Sequence, residues 1–526
     1  MKTLINTTIM LTDYVLKNMF RLLFCVAFLL FAGCGEKYGS NEMSKSKPNI
    51  LLILVDDMGY GDLKSYNPHS KIPAPNLDKL ASEGMRFTDA HAPGAVCHPS
   101  RYGLLTGRYP FRTNTNVWPE QPVIDEDRMT LATLLQSEGY HTAMVGKWHL
   151  GFDESVAIEA SRENAEEIGN NTRAAYRQYD EGQILSGGPV DRGFDSFFGI
   201  RASTDIPPYF YIRDAHVVNP PLDTIGNNYS GGIWTDIQGA FWREGGISPD
   251  LDLTDVLPRF TEESIHVIES HSSSNADQPL FLYVAFPAPH TPWLPSEDFE
   301  GTSGAGMYGD FMAMVDSKIG EILTALDQEN MANETLVIFT SDNGPVWYEK
   351  DKEHFTHDSQ GGLRGMKADV YEAGHRMPFI VRWPGVVDQG TVTDQTISFT
   401  DLMATFADIL NTGLQESAGE DSFSLLPVLK GEQPENESIR PPVVSVSSRG
   451  VRAIQDGRWK LIETLGSGGF TDPVSIEPEP GGPEGQLYNL EEDPAETNNL
   501  WLDHPSVVNR LTDMLEKYDR NGRSQP

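Results

Sequence analysis

Apolar residues in this chain gather in short uninterrupted runs. NILLILV (49–55), HTAMV (141–145), LFLYVAF (280–286) and TLVIFT (335–340) show no alternation with polar residues. Runs of that length without a polar face predict strands buried on both sides. Helix-period patterns fall between them. FMAMVDSKIGEILTAL (311–326) spaces Met312, Val315, Ile319, Ile322, Leu323 and Leu326 as one helical face. Thr130 to Ser137 predicts a helix stopped by Gly139, and Asn76 is the expected cap of a short helix ending near Gly84. Strands alternating with helices predict an α/β domain with a mostly parallel central sheet flanked by helices.

Two stretches depart from that rhythm. Residues 153–279 are rich in Gly, Pro, Asp and aromatics, and are expected to be long insertions lying over the sheet. Past residue 440, PPVVSVSS, VRAIQ, RWKLIE and QLYNL predict short strands, with Asp456-Gly457 as a hairpin turn and 466–485 as a loop. A closing helix is expected over 505–517. The expected plan is a large α/β domain over 48–435 and a small C-terminal α+β subdomain with an antiparallel sheet over 436–526.

The N-terminus predicts export. Lys17 and Arg21 precede LLFCVAFLLFAG, which has the length of a signal-peptide apolar region and is too short to span a bilayer comfortably. Its end, Leu30-Phe31-Ala32-Gly33-Cys34, resembles a bacterial lipobox, with Phe31 atypical at its position. Residues 1–34 are then a signal ending at a lipidated Cys34, and 35–47 a polar tether. An ordinary signal peptide cut nearby is the alternative, and Met10 or Met19 are alternative starts. The expected location is the periplasm or outer membrane of a Gram-negative bacterium, held by the lipid anchor.

Charge narrows the partners. Among 526 residues, Lys and Arg total 40 against 76 Asp and Glu, a formal net charge of -36. No basic block stands out, so nucleic acid is excluded as a partner. Such acidity suits solubility in a saline medium. Near 1 M salt the screening length is roughly 3 Å, so a local cationic pocket still attracts an anion.

The three cysteines sharpen the question of chemistry. Cys25 leaves with the signal and Cys34 carries lipid, so Cys97 stands alone. A single thiol in an oxidising compartment is either buried or chemically used. Pro99 suits the first turn of a helix continued by Tyr102 to Thr106, which puts Cys97 at a helix N-terminus, where an anion is favoured. The thiol reads as a buried structural group or as a nucleophile partnered by His149 or His290.

Polar residues directly follow the apolar runs: Asp56-Asp57, Ser341-Asp342-Asn343-Gly344, Gly146-Lys147-Trp148-His149 and Pro287-Ala288-Pro289-His290. Parallel strands would bring all four groups to one edge, where α/β sheets bind ligands. Three acids and an amide oxygen are hard ligands suited to Ca²⁺ or Mg²⁺ rather than zinc. Asp56-Asp57 taken alone fits a turn equally well. Lys147, His149, His290, Lys367 and His375 draw their weight from sharing the predicted edge.

Cys97-His98-Pro99-Ser100-Arg101, continued by Leu104-Leu105-Thr106-Gly107-Arg108, resembles the C-x-P-S-R-x-x-L-L-T-G-R signature of the type I sulfatases, within the alkaline phosphatase superfamily. VDDMGYGD, GKWHLG, SDNG, LRGMKADVYEAGHRMP (with Ala373 where a second glycine is common) and LYNLEEDPAETNNL resemble other segments of that family. The resemblance covers almost the whole mature chain and is weakest over 153–279.

The resemblance implies that a separate maturation enzyme oxidises Cys97 to Cα-formylglycine (3-oxoalanine), whose hydrate attacks sulfur. The remaining hydroxyl of the sulfated diol then expels sulfate by C–O cleavage. It implies that Asp56, Asp57, Asp342 and Asn343, with residue 97 beside them, hold Ca²⁺, with Mg²⁺ second. It gives Arg101 and Lys147 the positioning of the diol, His149 the base, His290 the acid and Lys367 a sulfate oxygen, with the acid role open to sharing between His290 and Lys367. The expected substrate is a sulfated polysaccharide or its oligosaccharides, algal in a saline setting. Trp118, Tyr209, Tyr211, Trp234, Trp293 and Trp347 are candidate sugar platforms. Arg201, Arg213 and His357 are further candidates for contacting anionic groups. Two alternatives remain: a phosphonate or phosphodiester hydrolase of the same superfamily, and a non-catalytic surface glycan-binding lipoprotein.

Overall fold

The computed structural model describes residues 47–118, 121–155, 157, 177–230, 235, 237–434 and 436–526. The signal segment, Cys34 and Trp234 lie outside the described residues. Among the described residues no helix is long and apolar enough to cross a membrane.

Ten strands form the main sheet. They are β1 (Asn49–Asp56), β2 (Met85–Phe87), β3 (His141–Lys147), β4 (Ser196–Ile200), β5 (Ile212–Arg213), β6 (His216–Val217), β7 (Leu280–Pro289), β8 (Thr335–Ser341), β9 (Phe379–Arg382) and β10 (Thr391–Thr393). Their order is β10-β2-β9-β8-β1-β7-β3-β4-β5-β6. The five central strands, β8 through β4, are all parallel, so the C-terminal ends of β1, β3, β4, β7 and β8 share one edge. Antiparallel pairs flank them on both sides, which makes the sheet mixed as a whole.

The uninterrupted apolar runs are explained by two cores. Ile50, Leu52 and Leu54 of β1 face one, and Leu51, Ile53 and Val55 face the other. The first is covered by α2 (Cys97–Thr106), α3 (Leu131–Ser137) and α6 (Leu402–Ile409). The second is covered by α1 (Pro75–Glu83), α4 (Val256–Ser274) and α5 (Gly306–Gln328). Neither face of β1 meets water, so the run from Ile50 to Val55 carries no polar residue.

Helix ends follow local chemistry, with one correction. The helix expected from Thr130 is present as α3, with Thr130 as its N-cap, its hydroxyl accepting from the Thr133 amide at 3.1 Å. Asn76 does not cap α1: the N-cap is Ala74, and the Asn76 side-chain amide donates instead to Asp316 of α5 at 2.9 Å. Asp316 also accepts from the Leu77 amide at 2.8 Å, so a neighbouring helix satisfies the free N–H groups of α1.

The stretch 153–279 is only partly an insertion. It supplies β4, which continues the parallel sheet, and α4, which packs against α5 and β7. Phe260 and Ile268 of α4 are fully buried.

The C-terminal segment builds a four-stranded antiparallel sheet of β11 (Val443–Val446), β12 (Arg452–Asp456), β13 (Trp459–Ile462) and β14 (Gln486–Asn489). Asp456-Gly457 makes the β12–β13 turn, with Gly457 at φ 55°. Leu511 and Leu515 of α7 (Pro505–Asn521) pack on Val444, Ile454 and Leu461. This sheet belongs to the same compact unit, Pro48–Pro526, as the large one.

Candidate active site

Cys97 is the first residue of α2, and it is buried. The approach to it is braced on both sides. The Ala95 amide donates to Val446 of β11 at 2.8 Å, and its carbonyl accepts from the Ala368 amide at 2.7 Å. The far end of α2 closes at Gly107, whose φ of 64° suits glycine and whose N–H bonds the Gly103 carbonyl.

The polar strand ends meet where the parallel register requires. Asp56 ends β1, Asp57 follows it, Lys147 ends β3, His290 follows β7, and Asp342-Asn343 follow β8. Gly146, at φ 123°, lies so close to β7 that a Cβ would fall 2.0 Å from the Ala285 carbonyl oxygen. Asp57 (φ 65°), His149 (φ 58°) and Ala368 beside Lys367 (φ 77°) all adopt left-handed backbone that non-glycine residues rarely take. Such strained positions cluster at functional sites.

Three cations interleave with three carboxylates. The Arg101 Nε donates to Asp342 Oδ2 at 2.9 Å, and its Nη1 donates to the Lys147 carbonyl at 2.9 Å. Lys147 Nζ pairs with Asp56 Oδ2. Lys367 Nζ reaches both oxygens of Asp57, at 2.6 and 2.8 Å, and lies 3.5 Å from the Cys97 sulfur. The Cys97 thiol points at Asp56 Oδ1, 3.3 Å away. His290 Nε2 stands 3.6 Å from Asp57 Oδ2, while its Nδ1 donates to the Thr291 carbonyl at 2.7 Å.

Burial and charge compete at each group. Burial alone would raise the Asp56 carboxyl, but Lys147, His290, Arg101 and Lys367 outweigh it and hold Asp56 well below the usual carboxylate range. Asp342 is pushed up, first by burial and then by the neighbouring Asp56 charge. The Cys97 thiol is raised by burial and by Asp56, so it rests protonated. His149 is driven well below its ordinary value by burial and then by Lys147, so its imidazole is neutral at pH 7.

The donor set fits a hard divalent cation. Asp56, Asp57, Cys97 and His290 present ligand atoms within 4.8 Å of one another. The Asn343 amide donates to Asp57 Oδ1 at 2.6 Å, while its buried carbonyl oxygen has no partner. A buried orphan oxygen beside crowded carboxylates is what an oxygen-liganded cation would satisfy.

A cavity of about 400 Å³ opens over this cluster and is lined by Cys97, His98, Trp118, His149, His290 and Lys367 among others. Trp118 stacks on His98 with ring centroids 5.5 Å apart and meets His149 edge-on at 4.6 Å. Burial, with Lys147 and Lys367 adding to it, lowers His98 to about 4. Three other residues of this wall are absent from the sequence-based candidates: Ser203, Asp205 and Arg243. Ser203 Oγ and Asp205 Oδ1 are buried without a hydrogen-bond partner, and Asp205 Oδ1 lies 3.9 Å from His290 Nδ1. Asp205 also pairs with Arg243. The signal was present: RASTD follows the end of β4, as Asp57 follows β1, within a stretch taken for an insertion.

Several candidates belong elsewhere. His375 is not at this edge; it is buried against His91, Nδ1 to Nδ1 at 3.0 Å, beside Lys460 and Glu372. His357 is fully buried and bonded to Asp62 at 2.9 Å. Trp347 is a core residue packed on Tyr308 and Phe355. Trp293 packs edge-on to Tyr308, Tyr211 stacks on Phe198, and Tyr209 donates to the Arg243 carbonyl. Arg201 lines the cavity but is tied to Glu154 at 2.8 Å. Arg213 pairs with Glu263 beside a different cavity.

Comparison with known proteins places the chain in a family. A sulfatase profile matches residues 48–412, and a profile of the C-terminal region of N-sulphoglucosamine sulphohydrolase matches 366–521. The chain is 35% identical to an N-acetylgalactosamine-6-O-sulfatase of Bacteroides thetaiotaomicron, over 95% of this chain and 99% of that one. It is 31% identical to human arylsulfatase A, over 86% of this chain and 83% of the relative. A solved structure from work on glycosaminoglycan metabolism by B. thetaiotaomicron superposes with a TM-score of 0.72 at 32% identity, covering 90% of this chain and 99% of the other. Matched over most of its length by the sulfatase profile, and along nearly all of it by a 35% identical sulfatase, the chain belongs to the sulfatase family.

Proposed function

We propose that this sulfatase removes sulfate from a sulfated carbohydrate, using Cα-formylglycine made from Cys97 and a calcium ion held by Asp56, Asp57, Asp342 and Asn343. One observation carries the reading: Arg101, Lys147 and Lys367 are buried around the acids and Cys97 at the head of α2, an arrangement that neutralises an anion with fixed charges. The modified residue would supply, as its hydrate, the hydroxyl that attacks sulfur, and the ion would supply positive charge to the sulfate oxygens.

The chain's own residues do the rest. Arg101 and Lys147 lock the surroundings of residue 97 through Asp342 and Asp56. Lys367, 3.5 Å from the Cys97 sulfur, binds a sulfate oxygen. His290 has Nδ1 fixed on the Thr291 carbonyl, which leaves Nε2 to protonate the departing alcohol oxygen. His149, neutral and with Nδ1 unpartnered, takes the proton that lets sulfate leave. The B. thetaiotaomicron relative favours a 6-O-sulfated hexosamine within a glycan over an algal polymer as the substrate. We further propose export under the N-terminal signal, lipid anchoring at Cys34 and conversion by a maturation enzyme.

Mass spectrometry of the peptide containing residue 97, from protein co-expressed with a maturase, tests the modification. The expected product is the aldehyde or its hydrate; thiol alone would refute the reading. Nitrophenyl sulfate turned over faster than the corresponding phosphodiester is the expected selectivity. The reverse order would assign the site to phosphodiesters.

A further inference from the structure

A second cleft, of about 760 Å³, runs between the N-terminal end of α2 and the small sheet. It shares Val96 and His98 with the cavity over the cation cluster, so the Trp118–His98 stack stands at the junction of the two. Its walls include Phe111, Asn114, Asn116, Arg449 and Phe470. We propose that this cleft binds further sugar residues of the sulfated chain, making the enzyme one that reads an oligosaccharide rather than a single sulfated sugar. The proposal rests on the carbohydrate-sulfatase reading above.

Charge is the first argument. The protein carries a formal net charge of -36, yet no Asp or Glu lines this cleft. Each of two other large clefts carries three acids: Asp250, Asp255 and Glu262 in one, Glu126, Asp153 and Asp191 in the other. The Arg449 guanidinium has no acidic partner among the described residues. An anionic polymer approaching so acidic a protein needs a path free of carboxylates, and only the cleft that adjoins the cation cluster offers one among these three.

Chemistry and rigidity are the second argument. Phe470 is 41% exposed and offers an apolar ring for a sugar face, while Asn114 and Asn116 offer amides for hydroxyls. The rim is held in place by the segment that carries Lys367. The Phe470 amide donates to Asp369 at 2.6 Å, and the Ser448 amide donates to the Ala368 carbonyl at 2.9 Å. A preformed wall limits the ordering cost of binding a long, flexible chain.

The test compares 6-O-sulfated N-acetylgalactosamine with di-, tetra- and hexasaccharides bearing the same sulfated residue at one end. Wild-type kcat/KM is expected to rise at least about tenfold from monosaccharide to hexasaccharide. Arg449→Ala with Phe470→Ala should remove most of that rise while moving the monosaccharide value far less, and Ser448→Glu should weaken the hexasaccharide selectively. Calorimetric binding of the same sugars to Cys97→Ser protein reads the cleft without turnover. A wild type with no length dependence in rate and binding overturns the proposal, as do variants that lower every substrate in proportion. A protein that binds longer chains more tightly yet hydrolyses no sulfate ester would keep the cleft and refute the sulfatase mechanism.

Discussion

Arg101 Nε donates to Asp342 Oδ2 at 2.9 Å, and Nη2 lies 2.8 Å from the same oxygen, with both side chains wholly buried. The guanidinium thereby joins α2 to the end of β8, and its Nη1 joins both to β3 through the Lys147 carbonyl. Arg101→Lys keeps the charge but replaces three guanidinium nitrogens, two on Asp342 and one on the Lys147 carbonyl, with a single ammonium. On the formylglycine reading proposed above, turnover of nitrophenyl sulfate is expected to fall at least about 100-fold in protein whose residue 97 mass spectrometry shows to be converted as in wild type. A Lys variant with near wild-type kcat would show that this geometry does not matter.

Trp118 and Trp347 look alike as sugar platforms in the sequence but differ in place. Trp118 lines the cavity, so Trp118→Ala should raise KM for a sugar sulfate with a small change in unfolding temperature. Trp347 has no exposed surface, so Trp347→Ala should cost about 3–5 kcal/mol of stability through the hole it leaves. Denaturant unfolding beside steady-state kinetics separates the two. Equal effects of both variants on KM would contradict this assignment.

Lys460 of β13 sits 2.8 Å from Glu372 and 2.8 Å from Glu496, all three buried. Lys460→Met leaves Glu496 without a cation and facing Glu372, which keeps only Arg376, a loss of about 3–5 kcal/mol. Protonation relieves unpaired carboxylates, so the deficit should be larger at pH 8 than at pH 5. Urea unfolding at the two values measures it, and a deficit independent of pH would mean that the charges are not the cause.

Asp316 is pushed up to about 6 from 3.8, chiefly by burial, even though it accepts from the first turn of α1. The native state then holds a proton across that interval that the unfolded chain has released. Its contribution is fully present below the unfolded value and is lost as pH rises through about 6. The loss amounts to about 3 kcal/mol. Asp316→Asn should be less stable than wild type at pH 4 and should close most of that gap by pH 7. A gap that widens with pH would reverse the sign of the argued shift.

Much of the site was legible because parallel strands buried on both faces leave a distinctive mark. A run such as NILLILV that stops abruptly at Asp56-Asp57 announces both a strand and its functional end. The CHPSR segment then tied Cys97 to those ends. Burial of single aromatic or histidine residues has no such mark: His357 and Trp347 carry the same local chemistry whether they face a ligand or a core. The region holding β4 and α4 was misjudged because Gly- and Pro-rich loops surround them and dilute their periodicity. Asp205 was lost with that stretch, although SFFGI followed by a polar segment obeys the same pattern as β1.

The hydrogen bonds that Asp369 accepts from Phe470 and Thr471 have a consequence for how the protein is made. Lys367 lies two positions before Asp369, so the last cation of the site is anchored by a loop about a hundred residues later in the chain, near its end. During synthesis, β1, β3, β7 and β8 can be complete while that anchor is still to be translated. The active centre is therefore finished late: a nascent chain halted before residue 443 would have Asp56, Asp57 and Asp342 in place and Lys367 held only by its own bonds to Pro345 and Asp57, without the support that Asp369 takes from Phe470 and Thr471.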